Sequence, residues 1–458
     1  MIGREASEAV LQRALEADVS PVIPAKAGIH GDSGSWDTEA YLVVQDLGLT
    51  RFAANTIHQN VSHGNAQLYI RVAQEHRQGR ATTNDLSESG IAKAVQGARH
   101  NALLMPEDPD FHGLTSPDAP SHVQTFDRET AEFSPASRAD AVVIACGKAA
   151  SLGLESSGFC RSGVQETAVM STRGASAYHA STFAGFLITA MGGDSAGWSK
   201  GGSWRVSEVD AEALADEAIA KAVDGRNPRA IEPGQYNVVL DPYAVDDMLN
   251  ALSRYGMGAQ TVQEGRSWMN GILDTQAMSP LVSIWDDGTD MAGWPTPFDA
   301  EGVPRCKTAI VQSGVVKGPV YNSYTAGKEG VVSTGHQFSS GGGPLAANLF
   351  MAPGEDSLEQ MIASTRLGLY ITRFHYIRLV HNRGCVVTGM TRDGTFLIED
   401  GSISHPVKDL RFTQSFVEAL ANVEAVGSDP KLCLNEVGFA TCVPALKIAG
   451  FNFTGVTV

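Results

Sequence analysis

The sequence lacks most of the marks by which a chain declares its chemistry. It has only six cysteines in 458 residues (146, 160, 306, 385, 433 and 442), and no two form a C-x-x-C pair. That excludes a disulfide scaffold, a cysteine zinc knuckle and a thioredoxin-type motif, and leaves reduced thiols. Basic residues are scarce: Lys+Arg number 34 against 51 Asp+Glu, for a formal charge of −17. Phosphate backbones and anionic membranes need a basic face, so neither nucleic acid nor membrane is an expected partner. No apolar run reaches the ~18 residues of a membrane span. Glu5, Glu8 and Glu16 interrupt the N-terminal apolar residues, so Met1–Ile23 has no signal-peptide core and the expected location is cytoplasmic. No Walker A sequence occurs, because the Gly341-Gly-Gly-Pro344 run ends in proline. None of the twelve histidines precedes a Glu and no two lie four apart, which excludes H-E-x-x-H. There is no repeat of 20–50 residues.

What is present is a long chain with ordinary core-forming capacity. Its length is about three times the domain mode, which implies two or three domains. Hydrophobic residues make up 43%, enough for a large core, and 48 glycines suit a turn-rich β protein. Apolar periodicity predicts helices over Glu5–Ala17, Glu88–His100 (capped by Ser87), Pro135–Ala150, Asp210–Val223, Ala244–Tyr255 and Ser357–Leu367. Alternation predicts strands at Tyr41–Asp46, Thr50–Ala54, Thr56–Val61 and Ala66–Ala73, with a turn at Gln78-Gly79. Short strands follow over Gly153–Val206, with turns at Arg173-Gly174, Gly192-Gly193-Asp194 and Gly201-Gly202. Beyond a linker at Ile231–Gly234, strands dominate: Tyr236–Leu240, Ser283–Trp285, Thr308–Gln312, Gly330–Thr334, Tyr376–Val380, Cys385–Thr388, Thr395–Ile398 and Ala445–Ile448. The expected class is α+β. An α/β N-terminal domain spans 1–232, with a Pro- and Gly-rich inserted loop at 21–35, and a β-rich C-terminal domain spans 233–458.

Motifs with intrinsic chemistry are few. G-x-S-x-G occurs twice, at Gly193–Gly197 and Gly197–Gly201, but no helix is predicted after it, as a nucleophile elbow requires. Asp286-Asp287 and Glu399-Asp400 sit beside glycine, where turn chemistry explains them. His375 and His381 lie six apart on a predicted strand, hence on one face. With His336 and Cys442 they form an alternative candidate site.

Several segments together carry a resemblance. They are Arg51-Phe-Ala-Ala-Asn-Thr-Ile-His-Gln-Asn-Val-Ser62, Gly79-Arg-Ala-Thr-Thr-Asn-Asp-Leu86, Pro109-Asp-Phe111 and Gly234-Gln-Tyr-Asn-Val-Val-Leu-Asp-Pro242. Ser279–Asp287, Asp299–Pro304, Gly368–Thr372, Thr391–Gly401 and Pro406–Lys408 continue the series in order. Over nearly the whole chain this resembles the TldD/PmbA family of two-subunit metallopeptidases. In the catalytic subunit, the resemblance implies, the helix after the V-V-L-x-P strand carries H-E-x-x-x-H, with two metal-binding histidines, a water-activating Glu and a third ligand from a C-terminal Cys. Counted from Pro242, those positions here are Asn250-Ala-Leu-Ser-Arg-Tyr255. Asn250 and Tyr255 stand for the histidines and Ala251 for the Glu, while Cys433 and Cys442 flank the expected Cys position near Glu436.

An amide is a poor zinc ligand and an alanine cannot polarise water. The resemblance therefore implies a PmbA (TldE)-like subunit with no catalytic residues and no metal of its own. It would be paired with a TldD-like subunit that carries the zinc, would act on extended peptides held by β-strand addition, and would be homodimeric when alone. The alternatives are a non-catalytic homodimeric peptide-binding or scaffold protein, and a divergent hydrolase, tailoring a peptide-like natural product, built on His336, His375, His381 or Cys442.

Overall fold

The computed structural model describes residues 1–17, 35–338, 342–435 and 440–456. The inserted loop read at 21–35 lies outside them except for Ser35, as does the position near Glu436. The described chain is α+β and holds three sheets.

The first sheet is antiparallel throughout and comprises β1 (Asp37–Ala53), β2 (Thr56–Gln74), β3 (Arg77–Thr83), β4 (Glu155–Ser171), β5 (Ser176–Gly192) and β6 (Ser195–Ser203). Their order is β3-β2-β1-β4-β5-β6. Strand β1 alternates over residues 40–45. Ala40, Leu42 and Val44 of β1 are buried with Val10, Leu11 and Val95, which lie on helices α1 (Arg4–Glu16) and α2 (Glu88–Leu104). Helices α3 (Pro135–Ser151) and α4 (Ala211–Asp224) pack similarly, placing Val142, Ala145, Leu214 and Ala218 on Phe186 and Ile188. The intervening residues Tyr41, Val43, Gln45 and Leu47 point the other way, into a cavity shared with the C-terminal half.

Local chemistry sets the helix starts. Ser87, Ser134 and Asp210 each cap a helix by accepting an N–H three residues on, and Pro135 supplies the preset φ of a first turn. Helix α1 has no side-chain cap of its own. Instead the Glu166 carboxylate of β4 accepts from the Ile2 and Gly3 N–H groups, both at 2.8 Å, which also sets a negative charge at the helix's positive end. Gly197 lets α4 press directly on β6, since a Cβ there would stand 2.0 Å from the Ala218 carbonyl oxygen.

The C-terminal half begins with β7 (Gln235–Leu240) and helix α5 (Pro242–Leu252). Strand β7 lies between strands 367–381 and 446–456 of a seven-stranded sheet. Strand 367–381 also pairs with 386–399, so the path 367–381, 235–240, 446–456, 410–415, 386–399 returns to its start. Phe374, Phe412 and Phe451 pack against one another with centroids 4.7–5.6 Å apart. A third, mixed sheet of short strands runs 315–316, 308–312, 284–286, 348–351, 440–443, 431–434.

Several sequence readings need correction. The first strands are longer than expected, because Leu47-Gly48-Leu49 continues β1: Gly48 makes room for the Arg138 guanidinium, which a Cβ would meet at 2.4 Å. The turn predicted at Gln78-Gly79 occurs at Glu75-His76, with Glu75 left-handed at φ 51°. Gly201 and Gly202 pair with Phe186 and Gly185 inside β6 and form no turn. Gly330–Thr334 is no strand, since Gly330 is the left-handed cap (φ 66°) that ends helix Ser323–Glu329.

Candidate functional site

Helix α5 carries the positions at which the resemblance places a metal motif. It starts where β7 ends. Asp241 caps it by accepting from the Tyr243 N–H at 3.1 Å, and the Tyr370 hydroxyl donates to the other Asp241 oxygen at 2.8 Å. Val245, Met248, Leu249 and Leu252 root it in the C-terminal core. The predicted helix over Ala244–Tyr255 is not α-helical to its end: Ser253–Met257 form a π turn. The wider turn brings residues five apart towards one face. Asn250, Ala251 and Tyr255 accordingly line one cavity of about 310 Å³, together with Asp247, Arg254 and His375. A neighbouring cavity of about 360 Å³ shares Asp247, Asn250, Arg254 and Arg373, and adds Lys200, Asp246 and Asn435.

The polar groups between these cavities form one network. The Lys200 ammonium, carried in by β6, lies 3.2 Å from Asp246 Oδ2 and donates to Asn435 Oδ1 at 2.8 Å. Asp246 Oδ1 accepts from Asn250 Nδ2 at 2.6 Å, Thr441 Oγ1 at 2.6 Å and Asn435 Nδ2 at 3.3 Å. Burial works against the Lys200 charge, yet Asp246 holds its pKa above the ordinary value. Asp247 accepts from the Phe374 N–H at 3.0 Å, and burial, then the adjacent Asp246, push it up to about 7. Arg373 pairs with Asp393 at 2.9 Å and stacks over Trp198, 4.4 Å from the ring centroid.

This donor set does not fit a zinc ion. Asn250 turns its amide nitrogen to Asp246, Ala251 offers no donor atom, and both oxygens of Asp246 are already engaged. The Lys200 cation already pairs with Asp246, and its positive charge would oppose a divalent ion beside it. Among the described residues no group of three or more His, Cys, Asp or Glu is placed to hold a metal.

The alternative candidates are placed as follows. His336 is fully buried, with Nε2 2.9 Å from Asp286 and Nδ1 2.9 Å from Thr334 Oγ1. His375 lines the smaller α5 cavity, and burial and Arg373 lower its pKa. His381 is exposed at the far end of the same strand, with Nδ1 3.2 Å from the Arg383 carbonyl. Cys442 lies buried between Phe350 and Leu432, its thiol pushed up to about 11 by burial. Of the paired acids, Asp287 makes the expected turn bond, to the Thr289 N–H, whereas Asp286 is a buried strand residue. The serine of the second G-x-S-x-G, Ser199, is a buried β6 residue that donates to the Leu214 carbonyl at 2.5 Å.

Sequence reasoning missed Lys200, Asp246, Asp247, Arg373 and Asn435. A signal did exist for two of them: Asp246-Asp247 are consecutive acids inside an otherwise apolar helix, where burial demands partners.

Comparison with known proteins adds the context. Three models of one family match in order: PmbA/TldA metallopeptidase domain 1 over residues 39–102, the central domain over 127–226 and the C-terminal domain over 233–455. A metalloprotease of Methanothermobacter thermautotrophicus is 28% identical over 241 residues, 52% of this chain and 53% of that protein. The chain thus spans about half the length of that relative. The metalloprotease PmbA of Escherichia coli O157:H7 is 24% identical over 91% of this chain and 93% of its own. The crystal structure of TldE from Thermococcus kodakarensis superposes with a TM-score of 0.82 at 18% identity, covering 92% of this chain and 97% of that one; this likeness shows the fold.

Proposed function

The chain belongs to the PmbA/TldD metallopeptidase family, and we propose that within it the chain is a PmbA/TldE-like subunit that binds no metal. It serves a two-subunit peptidase whose zinc and water-activating Glu sit on a TldD-like partner. Unfolded or extended peptides are the substrate class. The observation that carries this reading is the Lys200–Asp246–Asn250 network at the motif position. There an ammonium ion, not a metal, balances the buried carboxylate. The network closes the chemistry that H-E-x-x-x-H would open, while the framework around helix α5 is kept.

The test is co-expression with an H-E-x-x-x-H relative from the same source. The pair should co-purify, hold zinc on the partner and cleave unfolded peptides until a chelator is added. The chain alone should do neither. About one tightly held zinc per isolated chain, or chelator-sensitive cleavage by it, refutes the reading.

A further inference from the structure

We propose that the cavity between the open face of the first sheet and the C-terminal half is a carboxylate-binding subsite, with Arg305 as its anion-binding residue. The cavity measures about 460 Å³ and lies within the range of small-ligand sites. Tyr41, Tyr69, Trp294 and Phe298 give it aromatic walls, and Gln45 and Gln165 give it amides able to meet peptide groups. Arg305 lines it with only 8% of its surface exposed.

A buried guanidinium ordinarily has a carboxylate beside it, as Arg71 has Glu39 and Glu301, each at 2.8 Å. Arg305 makes no ion pair among the described residues, and its Nε has no hydrogen-bond partner. The neighbouring acid, Asp299, is spent on the backbone. Its Oδ1 accepts from Glu301 and Val303 at 2.9 and 3.0 Å, and its Oδ2 accepts from Gln337 at 2.8 Å. With the Asn348 amide oxygen turned towards it, Arg305 Nη1 donates there at 2.6 Å. Asp299 acts on the guanidinium only through space, so Arg305 has one neutral acceptor and no carboxylate in contact.

The side chain is also held in place. The Arg305 backbone N–H donates to the Pro297 carbonyl at 3.0 Å, and the side-chain stem passes over Gly288, where a Cβ would meet Arg305 Cδ at 2.4 Å. A positioned planar fork with no carboxylate in ion-pair contact matches a carboxylate ligand, which it can grip by two parallel N–H···O bonds. Arg161 on the same wall is engaged with the Asn435 carbonyl at 3.3 Å.

The ligand class rests on the cavity alone. That the carboxylate is the C-terminus of a peptide rests on the proposed function. The experiment is titration calorimetry on the full chain with three probes: N-acetyl-Phe-Ala as the free acid, its C-terminal amide, and benzoate. The acid should bind, and the amide should bind on the order of 10- to 100-fold more weakly, the worth of a charged hydrogen bond. Arg305→Gln should abolish that preference. Arg305→Lys, which keeps the charge, should retain it in reduced form, so a misfolded Gln variant does not end the test. Benzoate bound through Arg305 while neither peptide binds supports the carboxylate site and tells against the peptide reading separately. No carboxylate binding up to millimolar concentration, equal binding of acid and amide, or a preference unchanged in Arg305→Gln overturns the proposal.

Discussion

If the Lys200 ammonium is the resident cation of the α5 site, it and Asp246 must be energetically coupled. Their side chains are 12% and 4% exposed, and the charged atoms lie 3.2 Å apart. At an effective dielectric of about 20 the attraction is about 5 kcal/mol, much of it offset by desolvation. Lys200→Met keeps an unbranched side chain and removes the charge, whose nitrogen lies 5.7 Å from the Trp198 ring centroid. Asp246 then retains Asn250, Thr441 and Asn435 as donors but loses its counter-ion, at a cost of about 3 kcal/mol. Asp246→Asn removes the nearest counter-ion of the ammonium and leaves Asn435 Oδ1 as its neutral acceptor, at a similar cost of about 3 kcal/mol. The double variant leaves no buried charge without its partner and should cost at most about 3 kcal/mol, no more than either single variant and not the sum.

Calorimetric melting of the full chain reads this out. With an unfolding entropy of about 2.1 cal/mol/K per residue, 1 kcal/mol is worth about 1 °C in a chain of this length. Each single variant should melt about 3 °C lower, and the double variant lower by no more than about 3 °C. A double variant that melts lower by the sum of the two single shifts would mean that the ion pair is incidental, and the electrostatic argument against a metal would fall with it.

The parts of the fold that were legible in the sequence are those set by local chemistry. The Ser87, Ser134 and Asp210 caps lie where the helices were expected to start, and the alternation in Ala66–Ala73 marks a real strand, although Arg71 and Ala73 on it are buried as well. What misled were glycines whose reason lies far along the chain. Gly48, which faces Arg138, reads locally as a break between strands, and Gly201 and Gly202, which face Leu214 and Leu434, read as a turn, yet each serves a close approach. The strand over 367–381 shows a second limit. Register shifts between Ile371 and Arg373, His375 and Arg378, and Leu379 and His381 interrupt the two-residue period on which the face of a histidine was inferred. The motif positions Asn250, Ala251 and Tyr255 could be counted from Pro242, but the π turn that gathers them could not. Lys200, Asn435 and Thr441 reach Asp246 from strands and loops roughly 50 to 200 residues away in sequence, and no spacing rule announces such a meeting.

Gly197→Ala should lower the melting temperature by several degrees, because the added Cβ would stand 2.0 Å from the Ala218 carbonyl oxygen and must lift α4 off β6; an unchanged melt would refute that contact. Light scattering of the isolated chain at micromolar concentration and physiological salt should give a dimer mass, since the ~8 Å screening length limits repulsion between −17 copies; a monomer mass would rule out self-association. The last prediction concerns Asp247, which burial and Asp246 raise to about 7, well above the 3.8 of a free carboxyl. The folded state therefore binds this proton more tightly than the unfolded state does. Stability from this group is fully present below about pH 4 and is lost as pH rises towards 7. Asp247→Asn keeps an oxygen for the Phe374 N–H and never ionises. At pH 4 and below the variant should match the parent. Its advantage should grow between pH 4 and 7 and level off near pH 8. Water reaches Asp247 through the cavity it lines, so the plateau is about 1–3 kcal/mol, below the full value of about 1.4 kcal/mol per pH unit. Melting curves of both chains from pH 4 to 8 decide it. An advantage that shrinks with rising pH, or a variant less stable than the parent at pH 8, would show that the Asp247 charge is stabilised by its neighbours and not opposed by burial.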